Sequence, residues 1–121
     1  MGAWSLALLL SLPFPAAGLG LGEVEVHSHL HAPLRMEVEL LGSPREFDNL
    51  EVDTGSLLDY TRFGIEPAEF HSRLRFELRP GDPATVLVTT RNPVNEPFIS
   101  LPLRLSNGQV NLVRELTAFL D

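Results

Sequence analysis

The sequence predicts an all-β domain: an antiparallel β-sandwich of about seven strands with one short helix. Three observations carry this. Apolar residues recur with period two in short runs, as in Leu34, Met36, Val38 and Leu40 and again in Leu74, Phe76 and Leu78. Turn-forming clusters separate the runs, at Gly42-Ser43-Pro44, Pro80-Gly81-Asp82-Pro83 and Asn107-Gly108. One segment alone, Ser56 to Gly64, departs from the alternation. Period-two alternation marks a strand with one buried face, and short strands at regular spacing between turns mark a sandwich.

Residues 3–12 form an apolar run of signal-peptide length, too short to span a bilayer. Pro13 and Pro15 break it, and Ala16-Ala17-Gly18 supplies small residues for cleavage. The expected division is a signal peptide over 1–18 and a single domain over 19–121. No Lys or Arg precedes the run, so the N-terminal amine is its positive charge. The remaining 103 residues suffice for one modest core, and the last strand leaves no room for a second domain.

The first strand is expected at Glu23 to Leu30, with Val24, Val26, Ser28 and Leu30 on one face and Glu23, Glu25, His27 and His29 on the other. Pro33 ends it. Leu34 to Leu41 repeats the pattern with Arg35, Glu37 and Glu39 outward. Phe47 to Val52 is read as a third strand. Ser56 can cap a helix of about two turns that Gly64 terminates. Arg73 to Arg79 alternates again, Thr85 to Thr90 is β-branched, and Phe98 to Leu105 is strand-like, with Pro102 assigning part of it to an edge or bulge. Asn107-Gly108 forms a tight hairpin, and Val110 to Leu120 closes the domain. This series matches an immunoglobulin-like sandwich.

Between two of these strands lies Thr89-Thr90-Arg91-Asn92-Pro93-Val94-Asn95-Glu96-Pro97-Phe98. Proline fixes φ and has no N–H, so neither Pro93 nor Pro97 belongs inside a central strand. Each pushes its predecessor into extended geometry. The stretch reads as a rigid, extended crossover.

Composition narrows the function. The net charge is −7, and the nine basic residues, all Arg, are scattered. The pattern lacks the basic patch of a nucleic-acid binder or of a protein that sits on anionic lipid. With no cysteine, thiolate chemistry, Cys-type zinc sites and disulfides are excluded.

Three constellations have the residue types for chemistry. Asp53-Thr54-Gly55-Ser56 spells the aspartic-protease tetrapeptide, and a dimeric retroviral-type enzyme would bring two such aspartates together to share a proton. That family also needs a later apolar-apolar-Gly segment, whereas Gly108 follows polar Ser106-Asn107. A strand-end turn with Ser56 capping the helix explains the same residues. His27, His29 and His31 would share one face of a strand and offer imidazoles to a metal, with Glu23, Glu25 or His71 as partner; exposed histidines on a solvated face explain them equally. The pairs Glu23/Glu25 and Glu37/Glu39 read as solvated strand faces rather than a glycosidase dyad, which needs a cleft.

Three blocks carry a family resemblance. Leu19-Gly20-Leu21-Gly22-Glu23-Val24 through Ser28, Leu30, Pro33-Leu34 and Leu40 resembles the pattern LGLGEI-x-x-x-S-x-L-N-Q-PL-x-A-E-I-x-L at the mature N-terminus of the FimV type IV pilus assembly family. Arg91, Pro93, Glu96, Pro97 and Phe98 match that family's S-R-x-P-[IV]-x-EPF. Asn107-Gly108, Arg114-Glu115 and Leu120-Asp121 are similar to its NG…RE(Y)…LLD ending. His31-Ala32 stands where Asn-Gln is usual, and Leu105-Ser106 where an aromatic Trp precedes the turn.

The resemblance implies an exported, periplasmic, non-enzymatic domain of the pilus and cell-pole machinery. It implies protein–protein contact supporting pilus or secretin assembly or polar placement, with a periplasmic protein as partner. No catalytic, cofactor or metal residue is assigned, nor nucleic-acid binding, nor a membrane span in the mature chain. Peptidoglycan binding is not expected, because the family's LysM module has no counterpart in the chain. Arg114 and Glu96 match charged positions of the family motif and are expected to meet, pinning the crossover to the last strand. A sandwich edge strand would capture the partner, with Phe98 to Leu105 and the 23–30 strand as candidate edges.

Overall fold

Alternation in the sequence becomes two antiparallel sheets packed face to face. A computed structural model describes residues 18–121, so the leader expected over 1–18 lies, apart from Gly18, outside the described residues. The strands are β1 (Gly20–Val26), β2 (Pro33–Leu41), β3 (Glu51–Thr54), β4 (Arg75–Arg79), β5 (Thr85–Pro93), β6 (Phe98–Ser106) and β7 (Asn111–Phe119). One sheet has the order β1-β2-β5-β4 and the other β3-β6-β7. This four-plus-three division is that of a constant-type immunoglobulin domain.

Inward residues of the central strands fill the space between the sheets. Leu34, Met36, Val38 and Leu40 of β2 and Val86 and Val88 of β5 face Ile99, Leu101, Leu103 and Leu105 of β6. All are buried, and each side chain of this size contributes about 1.5–3 kcal/mol by leaving water. With no disulfide to reinforce it, this apolar layer is the main source of cohesion.

The helix α1 (Leu57–Phe63) forms where the alternation lapses. Ser56 Oγ accepts from Asp59 N–H (3.3 Å), and Asp59 Oδ2 accepts from Ser56 N–H (2.8 Å), a reciprocal cap. Gly64, at φ 65°, ends the helix in a left-handed conformation that costs glycine little.

Several elements depart from the sequence reading. Phe47 to Val52 is not a strand throughout. Glu46 Oε1 accepts from Ser43 N–H (2.9 Å) while Glu46 N–H donates to Ser43 O, and with Pro44 at the first position this gives a 3-10 turn over Pro44–Phe47, so β3 begins only at Glu51. The first strand stops at Val26 rather than Leu30, because Ser28 and Arg35 close a turn there. β5 runs past Thr90 to Pro93, so the proline crossover shrinks to residues 94–97.

Pro102 is the largest correction. It lies in β6, the central strand of its sheet, not at an edge. Gly55 N–H donates to Pro102 O (2.8 Å). The reciprocal bond would need the N–H that proline lacks, so the β3–β6 ladder ends there. The chain leaves the sheet at Gly55 and folds α1 over the outer face, where Pro102 is fully buried. A Cβ on Gly55 would come within 3.0 Å of Asp59 and Pro102, so only glycine allows that close approach.

Candidate functional site

The motif residues Ser28, Pro33, Leu34, Pro93, Glu96, Pro97 and Phe98 gather at one end of the sandwich, while Arg114 and Glu115 lie mid-strand in β7. Ser28 Oγ accepts from Arg35 N–H (2.9 Å) and fastens the β1–β2 turn. Pro33 and Pro93 sit opposite one another at the ends of β2 and β5. Next to them the β2–β5 register shifts, and Thr90 fills the gap: its Oγ1 accepts from Leu34 N–H (2.9 Å) and donates to Asn92 O (2.8 Å). His31 N–H donates to Val94 O and Val94 N–H to Ala32 O, while His31 Nδ1–H donates to Asn95 Oδ1 (2.8 Å). Leu120 N–H donates to Pro97 O and Leu30 N–H to Asp121 O. Three chain segments that resemble one family are thus tied by one hydrogen-bond network. Arg91 is exposed beside it.

Arg114 and Glu96 do not meet. Arg114 pairs with Leu103, five residues along β6 from Phe98, which puts it roughly 17 Å from the crossover. Its Nη1 instead donates to Val113 O (3.1 Å). The crossover is pinned by main-chain bonds, which no side-chain motif announces.

The three N-terminal histidines do not share a strand face. His27 Nε2 lies 3.5 Å from Glu37, His29 Nδ1 lies 4.0 Å from Asp121, and His31 turns to Asn95 at φ 68°. Among the described residues no three His, Cys, Asp or Glu side chains are grouped as a metal site. Asp53 Oδ1 accepts from Thr54 N–H (2.7 Å), Gly55 N–H bonds to β6, and Ser56 caps α1. The tetrapeptide makes the strand-to-helix turn.

What remains for a partner is an edge and an aromatic pair. β3 has four residues. β4 has five and carries Arg75 and Arg79. β1 is bulged between Leu21 and Val24 and places Glu25 opposite Glu37. Short length, charge and bulges are how natural sheets protect their edges. β7 is neither short nor bulged: nine unbroken pairs join it to β6, and its two charges, Arg114 and Glu115, are adjacent at mid-strand. Leu120 N–H bonds to Pro97 O and Asn107 N–H to Val110 O, so the odd-numbered residues of β7 aim their peptide groups away from β6. Arg114 occupies Val113 O, which leaves Glu115, Thr117 and Phe119 without a bonded strand among the described residues. Phe119, 74% exposed, packs against Phe98, 48% exposed, with ring centroids 5.1 Å apart. Phe98 and Glu115 belong to the family blocks. Phe119 does not, and only its place out of phase with Leu116, Ala118 and Leu120 could have marked it as outward.

His71, which the sequence offered as a metal partner for the N-terminal histidines, is instead a buried imidazole. Residues Glu69–Arg73 form a 3-10 turn that carries His71 against Tyr60 and Phe70. Ala68 N–H can only donate, so His71 Nδ1 is the acceptor (3.3 Å). Tyr60 O–H donates to the same nitrogen (2.8 Å), and the ring proton therefore sits on Nε2. Burial pushes this imidazole below its ordinary range and the Tyr60 hydroxyl above its own. The Ser56 backbone N–H holds the Asp59 carboxyl below the usual carboxylate range, helped by Arg104 at 3.4 Å.

His71 has a consequence for pH dependence. Its pKa is lower folded than unfolded, so its stabilising effect is complete above about 6.5. As pH falls from there toward the folded value, the unfolded chain takes up a proton that the folded one refuses, and stability drops. In urea titrations the wild type is expected to lose stability across that window relative to His71→Gln, which has no such proton to take up. Parallel curves would contradict the assignment.

The four-plus-three sheets and their strand order define an immunoglobulin-like sandwich. Among the described residues no helix is long and apolar enough to cross a membrane. The chain belongs to the FimV N-terminal Ig-like domain family, whose model matches residues 19–121. No curated protein and no solved structure gives a significant match.

Proposed function

We propose that this is a non-enzymatic protein-contact domain of the periplasm, exported through the leader at 1–18, that supports assembly or polar placement of pilus or secretin components. Membership of the FimV family supports that setting. The observation that carries the contact role is the β7 edge, unpaired from Glu115 to Phe119 among the described residues, beside the exposed Phe98–Phe119 pair. A partner strand can add to such an edge by main-chain hydrogen bonds, and adjoining apolar side chains supply selectivity. The edge strands are β1, β4, β3 and β7, and the Phe98 to Leu105 segment is central.

Thr117→Pro tests it. The Thr117 N–H points away from β6, so proline removes an edge donor and no ladder bond. The variant is expected to keep the wild-type circular dichroism spectrum. It should fail to capture the secretin or pilus-assembly proteins that the immobilised wild type retains from a periplasmic extract. Equal capture by the two proteins would rule out edge pairing.

A further inference from the structure

Beside the start of β6 lies a hollow of about 360 Å³, between residues Gly64–Ala68 and the outer face of the sheet. Glu66 and Glu96, both exposed, line it together with Phe98, Ser100 and His71. Neither glutamate has an ion-pair partner among the described residues, where the pairs involve other carboxylates. His71 is only 6% exposed. Its Nδ1 is taken, and its protonated Nε2 has no partner among the described residues. Arg104 Nε is the one enclosed side-chain nitrogen left unbonded there, so His71 Nε2 is not sealed in but opens to the hollow. A metal would need a lone pair at Nε2, and the Ala68 bond has already placed the proton there.

The site therefore offers one buried donor, two unpaired carboxylates and half of an aromatic ring. A cation answers the carboxylates and the ring, and a carbonyl oxygen answers the donor. We propose that the hollow takes a basic residue of a partner polypeptide, with its guanidinium or ammonium between Glu66 and Glu96 and its own backbone carbonyl accepting from His71 Nε2–H. The net charge of −7 draws such a partner in. This rests on reading the domain as a protein-contact module, but not on the β7 edge.

The probe is N-acetyl-arginine methylamide, titrated into isotope-labelled protein and followed by NMR. Its neutral isostere, N-acetyl-citrulline methylamide, is the control. The arginine compound is expected to shift the His71 ring signals and the Ile65 and Ser100 amides saturably. The citrulline compound should bind about fivefold more weakly, the scale of one exposed charge pair. Glu96→Gln, at an exposed position, should weaken arginine binding by a similar factor, and added salt should do the same. Equal binding of the two compounds, or no His71 shift with the arginine compound, overturns the proposal. Thr117→Pro should leave this binding intact, so the hollow and the edge stand or fail separately.

Discussion

Leu34→Ala is expected to lower the free energy of unfolding by about 3 kcal/mol. Leu34 is a family-motif residue, yet it is 1% exposed, and its side chain joins the apolar layer between the sheets. Truncation removes buried methyl groups and leaves a cavity that the rigid ends of β2 and β5, fixed by Pro33 and Pro93, cannot collapse to fill. A domain of this size has only about 5–15 kcal/mol in total, so the urea midpoint should fall markedly with an unchanged slope. A midpoint within experimental error of wild type would mean that this end of the sandwich is not packed as described. Because Leu34 is buried, partner capture measured well below the lowered midpoint should be unaffected.

Thr90→Val is expected to cost about 2 kcal/mol although the side chain keeps its shape. The lost hydroxyl accepts from Leu34 N–H, which falls in the register shift between Pro33 and Arg35, and it also bonds Asn92 O. Valine leaves the buried N–H of Leu34 unsatisfied at the point where β2 and β5 change register. Thr90→Ser restores the oxygen and should recover most of the loss, while Thr90→Val should also speed hydrogen exchange at Leu34. If valine and serine were equally stable, the hydroxyl would have no structural role.

Most of the sandwich was readable because its inward positions alternate without interruption. Leu34, Met36, Val38 and Leu40 needed no context to be assigned to the core. The helix was readable because Ser56 and Gly64 are chemical signals for its two ends. Sheet position was harder. Pro102 looked like an edge residue because proline cannot donate, and the sequence does not show that its neighbour β3 ends at the same level. The roles of Thr90 and His71 were not legible because they depend on partners 56 and 11 residues away, respectively. The Arg114–Glu96 pair failed for a related reason: both match a family pattern, but strand register puts Arg114 opposite Leu103, mid-strand, while Glu96 lies before β6 begins.

Arg114 and Leu30 together set a ruler. The guanidinium stops one end of the open edge at Val113, and the Leu30 amide stops the other at Asp121. Between those two occupied carbonyls lie only the seven residues 114–120, roughly 24 Å of strand. Such a berth admits one short extended tail and resists the open-ended stacking by which unprotected sheets grow into fibres.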